Sequence, residues 1–244
     1  MTIAVKTYAV LRPALKKLPR PVRSFFTRLR VASQRAFFAL KHGFSTPPTG
    51  TDLVGYEAFY DLIDGRGLLR LPGDLVEIGA FCGGGTYKLA KFLKRRGSPK
   101  TVYAVDVFDC SLDRTLNESG AEMAAVYSGI LKGASQRDVF ESVTTGLDNV
   151  VVIAGDSKKI TLPTEIVCFA FIDGNHNPCY VQNDFHLVWQ KLTEGGVVAF
   201  HDYGGDLPQV TRTIDRLCDE HRGEIRSLEV DPTRHIIYVT KRRR

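Results

Sequence analysis

Two stretches of this 244-residue chain place carboxylates and imidazoles directly after apolar runs. Residues 167–172 lead into Asp173-Gly174-Asn175-His176, and residues 197–200 lead into His201-Asp202-Tyr203. Each run has the length and apolar continuity of a strand buried on both faces. If the two strands are neighbours, Asp173 and Asp202 converge on one small volume. Carboxylates held that close repel unless a proton or a cation relieves them. Oxygen donors favour a hard divalent ion such as Mg²⁺ or Mn²⁺. His176, three residues past Asp173, could serve as a general base, since an unperturbed imidazole titrates at about 6.5. The plainer alternative is that these groups cap turns and bind water.

A third stretch, Glu77-Ile78-Gly79-Ala80-Phe81-Cys82-Gly83-Gly84-Gly85-Thr86, follows another short apolar run. Its glycines allow a tight turn and close backbone approach to a ligand. The helix expected after it presents free N–H groups. A nucleotide-binding loop is the reading, but not a dinucleotide one. The G-x-G-x-x-G fingerprint needs glycine at 81, and Phe81 would crowd a pyrophosphate. A carboxylate at Glu77 also suits a cationic ligand better than a diphosphate. Asp106 stands at the end of the next strand, where an acid can accept hydrogen bonds from both ribose hydroxyls. Asp109 is the weaker candidate for that role. Gly155-Asp156-Ser157 ends a third strand, placed to meet an adenine edge or simply to cap a turn.

The elements that must position these groups follow from periodicity. Strands are expected at 75–78, 102–105, 150–154, 167–172 and 197–200, with a closing pair at 225–230 and 235–239. Helices are expected at 57–63, 86–95, 180–192 and 209–220, and a longer, partly helical stretch at 121–143. This alternation implies a mostly parallel sheet with helices on both faces. Ligands of such sheets bind at the carboxyl ends of the strands, near the point where strand order reverses. Trp189 is expected in a helix core.

Composition bounds the rest. Hydrophobic residues make up 43% of the chain, enough for one substantial core. The longest apolar run, 166–172, is far short of the roughly 20 residues a membrane span needs. The beginning lacks a signal-peptide pattern, so a cytoplasmic protein is expected. Five scattered cysteines without a Cys-x-x-Cys pair argue for reduced thiols rather than disulfides or zinc. The net charge of +6 hides an asymmetry. Residues 1–51 hold ten Lys or Arg and no acid, residues 241–244 hold four more, and the body over 52–240 carries −8. Residues 22–40 space Phe25, Phe26, Leu29, Ala32, Ala36, Phe37 and Leu40 as the apolar face of a basic amphipathic helix. Residues 1–51 thus read as a basic extension and linker, and 52–244 as the main domain. Three roles are open for residues 1–42: contact with an anionic membrane surface, contact with another subunit, or a lid over the domain. Homo-oligomerisation belongs with the second. No recognition motif supports specific nucleic-acid binding.

In their order, V-E-I-G-A-F-C-G-G-G-T, Y-A-V-D, A-G-D-S, F-I-D-G-N-H and G-G-V-V-A-F-H-D-Y resemble class I S-adenosylmethionine (SAM)-dependent methyltransferases. The nearest likeness is to the macrocin and sugar O-methyltransferase group and to cephalosporin hydroxylase-type proteins, over roughly 52–240. The resemblance implies a Rossmann-like seven-stranded sheet closed by an antiparallel pair, SAM as cofactor, and methylation of a small-molecule hydroxyl. Carried over position by position, it implies a SAM site at Glu77, Gly79, Ala80, Phe81 and Gly83, with Asp106 on the ribose and Asp156 and Ser157 near adenine. It implies a divalent-metal site at Asp173 and Asp202, and His176 as base. The metal-dependent sugar enzymes have an acid where this chain has His201. Histidine can ligate through a neutral nitrogen, which softens the site, or can itself act as the base. Two rival readings stand beside this one. An NAD(P)-dependent oxidoreductase fits poorly with Phe81 and with the D-G-N-H and H-D-Y pairs. A non-catalytic SAM-fold binding protein or scaffold is left room by His201.

Overall fold

The computed structural model describes residues 54–243 continuously, together with isolated positions between 19 and 44. Of the expected helix over 22–40, Val22, Ser33, Ala36, Phe37, Ala39 and Leu40 are helical, and the rest lies outside the described residues. The sheet and helices below all belong to the compact unit Pro47–Arg244.

Seven strands form one sheet: β1 Asp74–Ile78, β2 Val102–Asp106, β3 Val150–Ala154, β4 Val167–Ile172, β5 Leu192–Phe200, β6 Ile225–Asp231 and β7 Ile236–Lys241, in the order β3-β2-β1-β4-β5-β7-β6. The first five are parallel, and β7 runs antiparallel to both β5 and β6. Strand order reverses between β1 and β4. Ile78 pairs there with Val105 on one side and Ile172 on the other, while Ile172 pairs with Phe200. The tips of β1, β2, β4 and β5 are therefore level. The ladder runs on past the strand ends: Gly79 N donates to Val105 O, Asp173 N to Ile78 O and His201 N to Ile172 O.

Six helices complete the fold: α1 Glu57–Arg66, α2 Gly84–Arg95, α3 Met123–Leu131, α4 Gln136–Thr144, α5 Pro178–Trp189 and α6 Pro208–Glu220. On one face of the sheet, Val76, Ala170, Val198 and Val239 pack under Phe185, Val188 and Trp189 of α5 and Ile214 and Leu217 of α6. On the other face, Phe59 of α1 packs against Phe169 and Phe171, and Tyr60 stacks on Phe92 of α2 at 4.3 Å. Each large buried side chain contributes about 1.5–3 kcal/mol by leaving water.

Three elements differ from the periodicity. The helical stretch at 121–143 is two helices, broken where Lys132 and Gly133 take positive φ and Ser135 caps α4 by accepting from Asp138 N. The helix expected to reach residue 192 stops at Trp189, and Leu192 opens β5 instead. β3 has the apolar sequence of an interior strand but lies at the sheet edge, with Val151 and Val152 exposed. All five cysteines are free thiols, and Cys82, Cys168 and Cys218 are buried.

Candidate active site

A cavity of about 250 Å³ opens over the level strand tips. Gly79 forms part of its floor, at φ +91°, and a Cβ there would sit 2.1 Å from the carbonyl oxygen of Asp173. Glycine is thus required so that the β1 and β4 tips can touch. Phe81, the next lining residue of the turn, takes a positive φ that costs a non-glycine residue about 1 kcal/mol or more. Its N–H donates to Asp106 Oδ2 at 2.8 Å. Asp106 Oδ1 accepts from Phe108 N at 2.7 Å and from Gln136 Nε2 at 3.0 Å. Burial pushes the Asp106 carboxyl up, against these hydrogen bonds, which favour its charged form. Asp156 and Ser157, at the β3 tip, also line the cavity.

Three residues expected to line a ligand site do not. Glu77 is fully buried beneath the floor, where it accepts from Tyr56 Oη and from Thr86 Oγ1. Desolvation lifts it to about 7, and the two hydroxyls pull the other way. Ala80 packs in a small core with Ala104 and Phe140. Gly83 caps α2 and lies so close to the Phe140 ring that a Cβ would stand 2.9 Å from it. These three shape the turn from below, because the strand's alternation turns Glu77 away from the tip.

At the other end of the cavity the β4 and β5 tips meet. Asp202 takes a left-handed backbone, φ 59°, which is unusual for a non-glycine residue. His201 Nδ1 lies 3.1 Å from Asp173 Oδ1 and 3.3 Å from Asp202 Oδ2. One donor atom from each of the three residues falls within 4.8 Å of the other two. Burial alone would lower the His201 pKa, but Asp173 and Asp202 raise it to about 11.

His176 occupies a different place from a free general base. It is buried, with Nδ1 2.5 Å from Asp113 Oδ2 and Nε2 2.8 Å from Asp202 Oδ2. The second contact brings the charges together without a well-aligned hydrogen bond. Burial opposes protonation, but the two carboxylates win and lift His176 to about 10. The ring is thus held between two carboxylates that favour its charged form. The same contacts hold Asp113 and Asp202 below the usual carboxylate range.

Four residues that the sequence did not single out belong here. Asp113 lies on the loop between β2 and α3, which roofs the cavity. Tyr127 of α3 is raised well above an ordinary phenol, first by burial and then by the nearby carboxylates, and its ring lies 5.2 Å from that of Phe81. Gln136 fixes Asp106. Asp184 of α5 is 1% exposed and lines the cavity, and burial raises it to about 6 against hydrogen bonds from Ser157 and Asn183. Only Asp184 left a trace in the sequence, as an acid spaced with Val181, Phe185 and Val188 on the apolar face of its helix.

Seven aspartates and no lysine or arginine line the cavity among the described residues. That balance rejects a pyrophosphate and suits a cationic nucleoside. With the 3-2-1-4-5-7-6 sheet, the glycine turn at β1 and the acid at the β2 tip, it defines a class I SAM-dependent methyltransferase. A family model described as a methyltransferase domain matches residues 76–203, more than half of the chain, and the chain belongs to that family. No curated protein matches it in sequence. Among solved structures, the O-methyltransferase NovP is similar with a TM-score of 0.63 and 20% identity, over 77% of this chain and 79% of that one. CalS11, a calicheamicin methyltransferase, is similar with a TM-score of 0.53 and 17% identity, over 97% and 91%. MycE, from mycinamycin biosynthesis, is similar with a TM-score of 0.51 and 16% identity, over 84% of this chain but 54% of that one. At these identities the likenesses establish the fold.

Proposed function

We propose that the protein transfers a methyl group from SAM to a hydroxyl of a small-molecule acceptor, a sugar or natural product. One observation carries this reading: Gly79, Asp106, Asp173 and Asp202 share a single cavity whose described lining holds no lysine or arginine. Three structural neighbours support the acceptor class by what they are: NovP is an O-methyltransferase, CalS11 a TDP-rhamnose 3'-O-methyltransferase, and MycE was solved with Mg, SAH and mycinamycin VI.

SAM, when bound, supplies a methyl group on a sulfonium that departs as a neutral thioether. Asp106 receives the ribose. Its carboxylate already accepts from the Phe81, Phe108 and Val107 backbones and from Gln136, so a ribose hydroxyl enters by displacing one of them. Gln136, the one side-chain donor among the four, is the partner that can move off Oδ1. Asp156 and Ser157 face the adenine, and Phe81 and Tyr127 close the apolar side. Asp173, His201 and Asp202 would hold a divalent cation. Two carboxylates and an imidazole fit such an ion once His201, which the two acids hold charged when no ion is there, gives up its Nδ1 proton, and the imidazole moves preference from Mg²⁺ toward Mn²⁺. A cation there would polarise the acceptor hydroxyl. Asp173 Oδ2 has no hydrogen bond among the described residues and is the oxygen available to take its proton. Alignment of the acceptor with the methyl group is then chiefly a positioning task for the cleft walls.

Calorimetric titration of SAM and NAD tests the reading. SAM should bind and NAD should not. Asp106→Ala should weaken SAM at least about tenfold through the lost charge-assisted bond and the loosened turn. NAD binding, or SAM bound unchanged by the variant, overturns it. No helix among the described residues is long and apolar enough to cross a membrane. From their sequence, we assign residues 1–42 to contact with an anionic membrane surface, with subunit contact and a lid as the competing roles.

A further inference from the structure

The acceptor sites of Asp106 are filled by the protein itself. Its carboxylate accepts from Phe81 N at 2.8 Å, from Phe108 N at 2.7 Å, from the Val107 backbone and from Gln136 Nε2 at 3.0 Å. Those donors match the roughly four acceptor sites of two carboxylate oxygens. All but one are main-chain groups of the β1 turn and the β2 tip, held in place by the path of the chain. Gln136 alone can leave, and its departure frees a single site. A ribose brings two neighbouring hydroxyls to this corner, so one of them needs an acceptor elsewhere.

Gln136 opens α4 directly after the Ser135 cap and lines the cavity, 6% exposed. Phe140, four residues on, lies on the same side of the helix and anchors it. Its ring is buried with Ala80 and Ala104 and lies 5.0 Å from that of Phe108. The Gln136 Nε2 faces Asp106 Oδ1 and, at 3.4 Å, the Phe81 carbonyl oxygen. Both are acceptors, so the amide cannot be turned end for end. Oε1 is thereby fixed on the other side of the amide, where it is buried and has no hydrogen-bond partner among the described residues. The other cavity-lining oxygen in that condition, Asp184 Oδ2, lies against Gly174 at the β4 tip. Buried polar atoms are nearly always paired, and an unpaired acceptor marks a place where a donor is missing.

We infer that Gln136 is a second ribose-binding residue. One hydroxyl of the cofactor's ribose takes the site on Asp106 that the amide vacates, and its neighbour donates to Gln136 Oε1. The Phe81 carbonyl leaves the displaced amide nitrogen a partner. This rests on the SAM reading above, and it departs from the resemblance, which gives the ribose to Asp106. Each hydroxyl is then read by a different side chain, so the site recognises an intact vicinal diol rather than a single hydroxyl.

Calorimetric titration of SAH, 2'-deoxy-SAH and 3'-deoxy-SAH tests this on the parent and on Gln136→Met and Gln136→Glu. In the parent, loss of either hydroxyl should weaken binding at least about threefold. Gln136→Met keeps the side chain's length without its polar atoms. It should shrink one of the two penalties to within about twofold of none and leave the other in place. Gln136→Glu keeps an oxygen acceptor but loses the nitrogen. It should weaken all three ligands by its added charge and still show both penalties. A melting midpoint is recorded for each variant, and Gln136→Asn, whose amide is too short to reach, replaces the Met variant if that one is unfolded. Both penalties surviving or both vanishing without the amide, a penalty lost in the Glu variant as well, or no penalty in the parent would overturn the assignment, while SAH binding leaves the methyltransferase reading intact. Failure of the parent protein to bind SAH would remove that reading, and the Gln136 assignment with it.

Discussion

The most informative single residue is Glu77, an acid placed where no water reaches it. Its pKa is about 7 when folded, against 4.5 ordinarily, because burial penalises the charge. The folded state therefore holds a proton that the unfolded chain releases between pH 4.5 and 7. Stability from this site is full below pH 4.5, falls as pH rises to 7, and is level above. The span amounts to about 3 kcal/mol. Glu77→Gln should remove that slope. Thermal melts at pH 5 and pH 8 should converge in the variant relative to the parent, and an unchanged difference would refute the assignment. His176 gives a second prediction at this scale. As a strut between Asp113 and Asp202, its loss leaves a buried carboxylate and a partly buried one without the charge between them. His176→Ala should cost about 3–5 kcal/mol of stability and weaken SAM binding along with turnover. A base acting only on the acceptor would lower turnover and spare both, so melting and SAM titration of one variant separate the two roles.

At the scale of elements, the site depends on strand tips that nearly touch. Gly79→Ala would drive a methyl into the Asp173 carbonyl from a backbone angle that alanine resists. A loss of at least ~3 kcal/mol is expected, read as a fallen melting midpoint, and a midpoint within a degree of the parent would show that the tips can part. The tips were legible in the sequence because apolar runs ending in Gly79, Asp106, Asp173 and His201-Asp202 have few other interpretations. Neighbouring strands β4 and β5 then bring Asp173 and Asp202 together as the pattern requires. What periodicity could not supply was contact across the roof. Asp106 is marked by its place at a strand end, but nothing in the sequence distinguishes Asp113 from Asp109 as a loop acid. Only the folded loop shows that Asp113 reaches His176, the expected base, and holds it from the side away from Asp202. Glu77 was misread for a related reason: adjacency to a glycine turn does not reveal which way a strand residue points. Helix boundaries slipped where a break depends on a cap, as at Ser135, or on a strand starting at once, as at Leu192.

For the whole molecule, charge is distributed against function in a consistent way. The cleft and the body are acidic, while the basic residues gather at 1–51 and 241–244. With about 1 kcal/mol per basic residue near an anionic bilayer, the arm should hold the protein on phosphatidylserine vesicles at 0.05 M salt and release it near 0.5 M, where screening shortens sharply. Co-sedimentation reads this directly, and an absence of pelleting at low salt would assign the arm to protein contact or to the lid role. The order of the sheet has another bearing, on how the chain is made. β6 touches the sheet only through β7, which follows it in the chain. During synthesis, then, β6 emerges from the ribosome before the strand that will attach it exists, and β5 waits with an open flank for the same strand. The hairpin around Asp231 must form and insert as a unit. Residues 225–241 are thus the segment whose delay a chaperone, or a neighbouring nascent chain, would meet first.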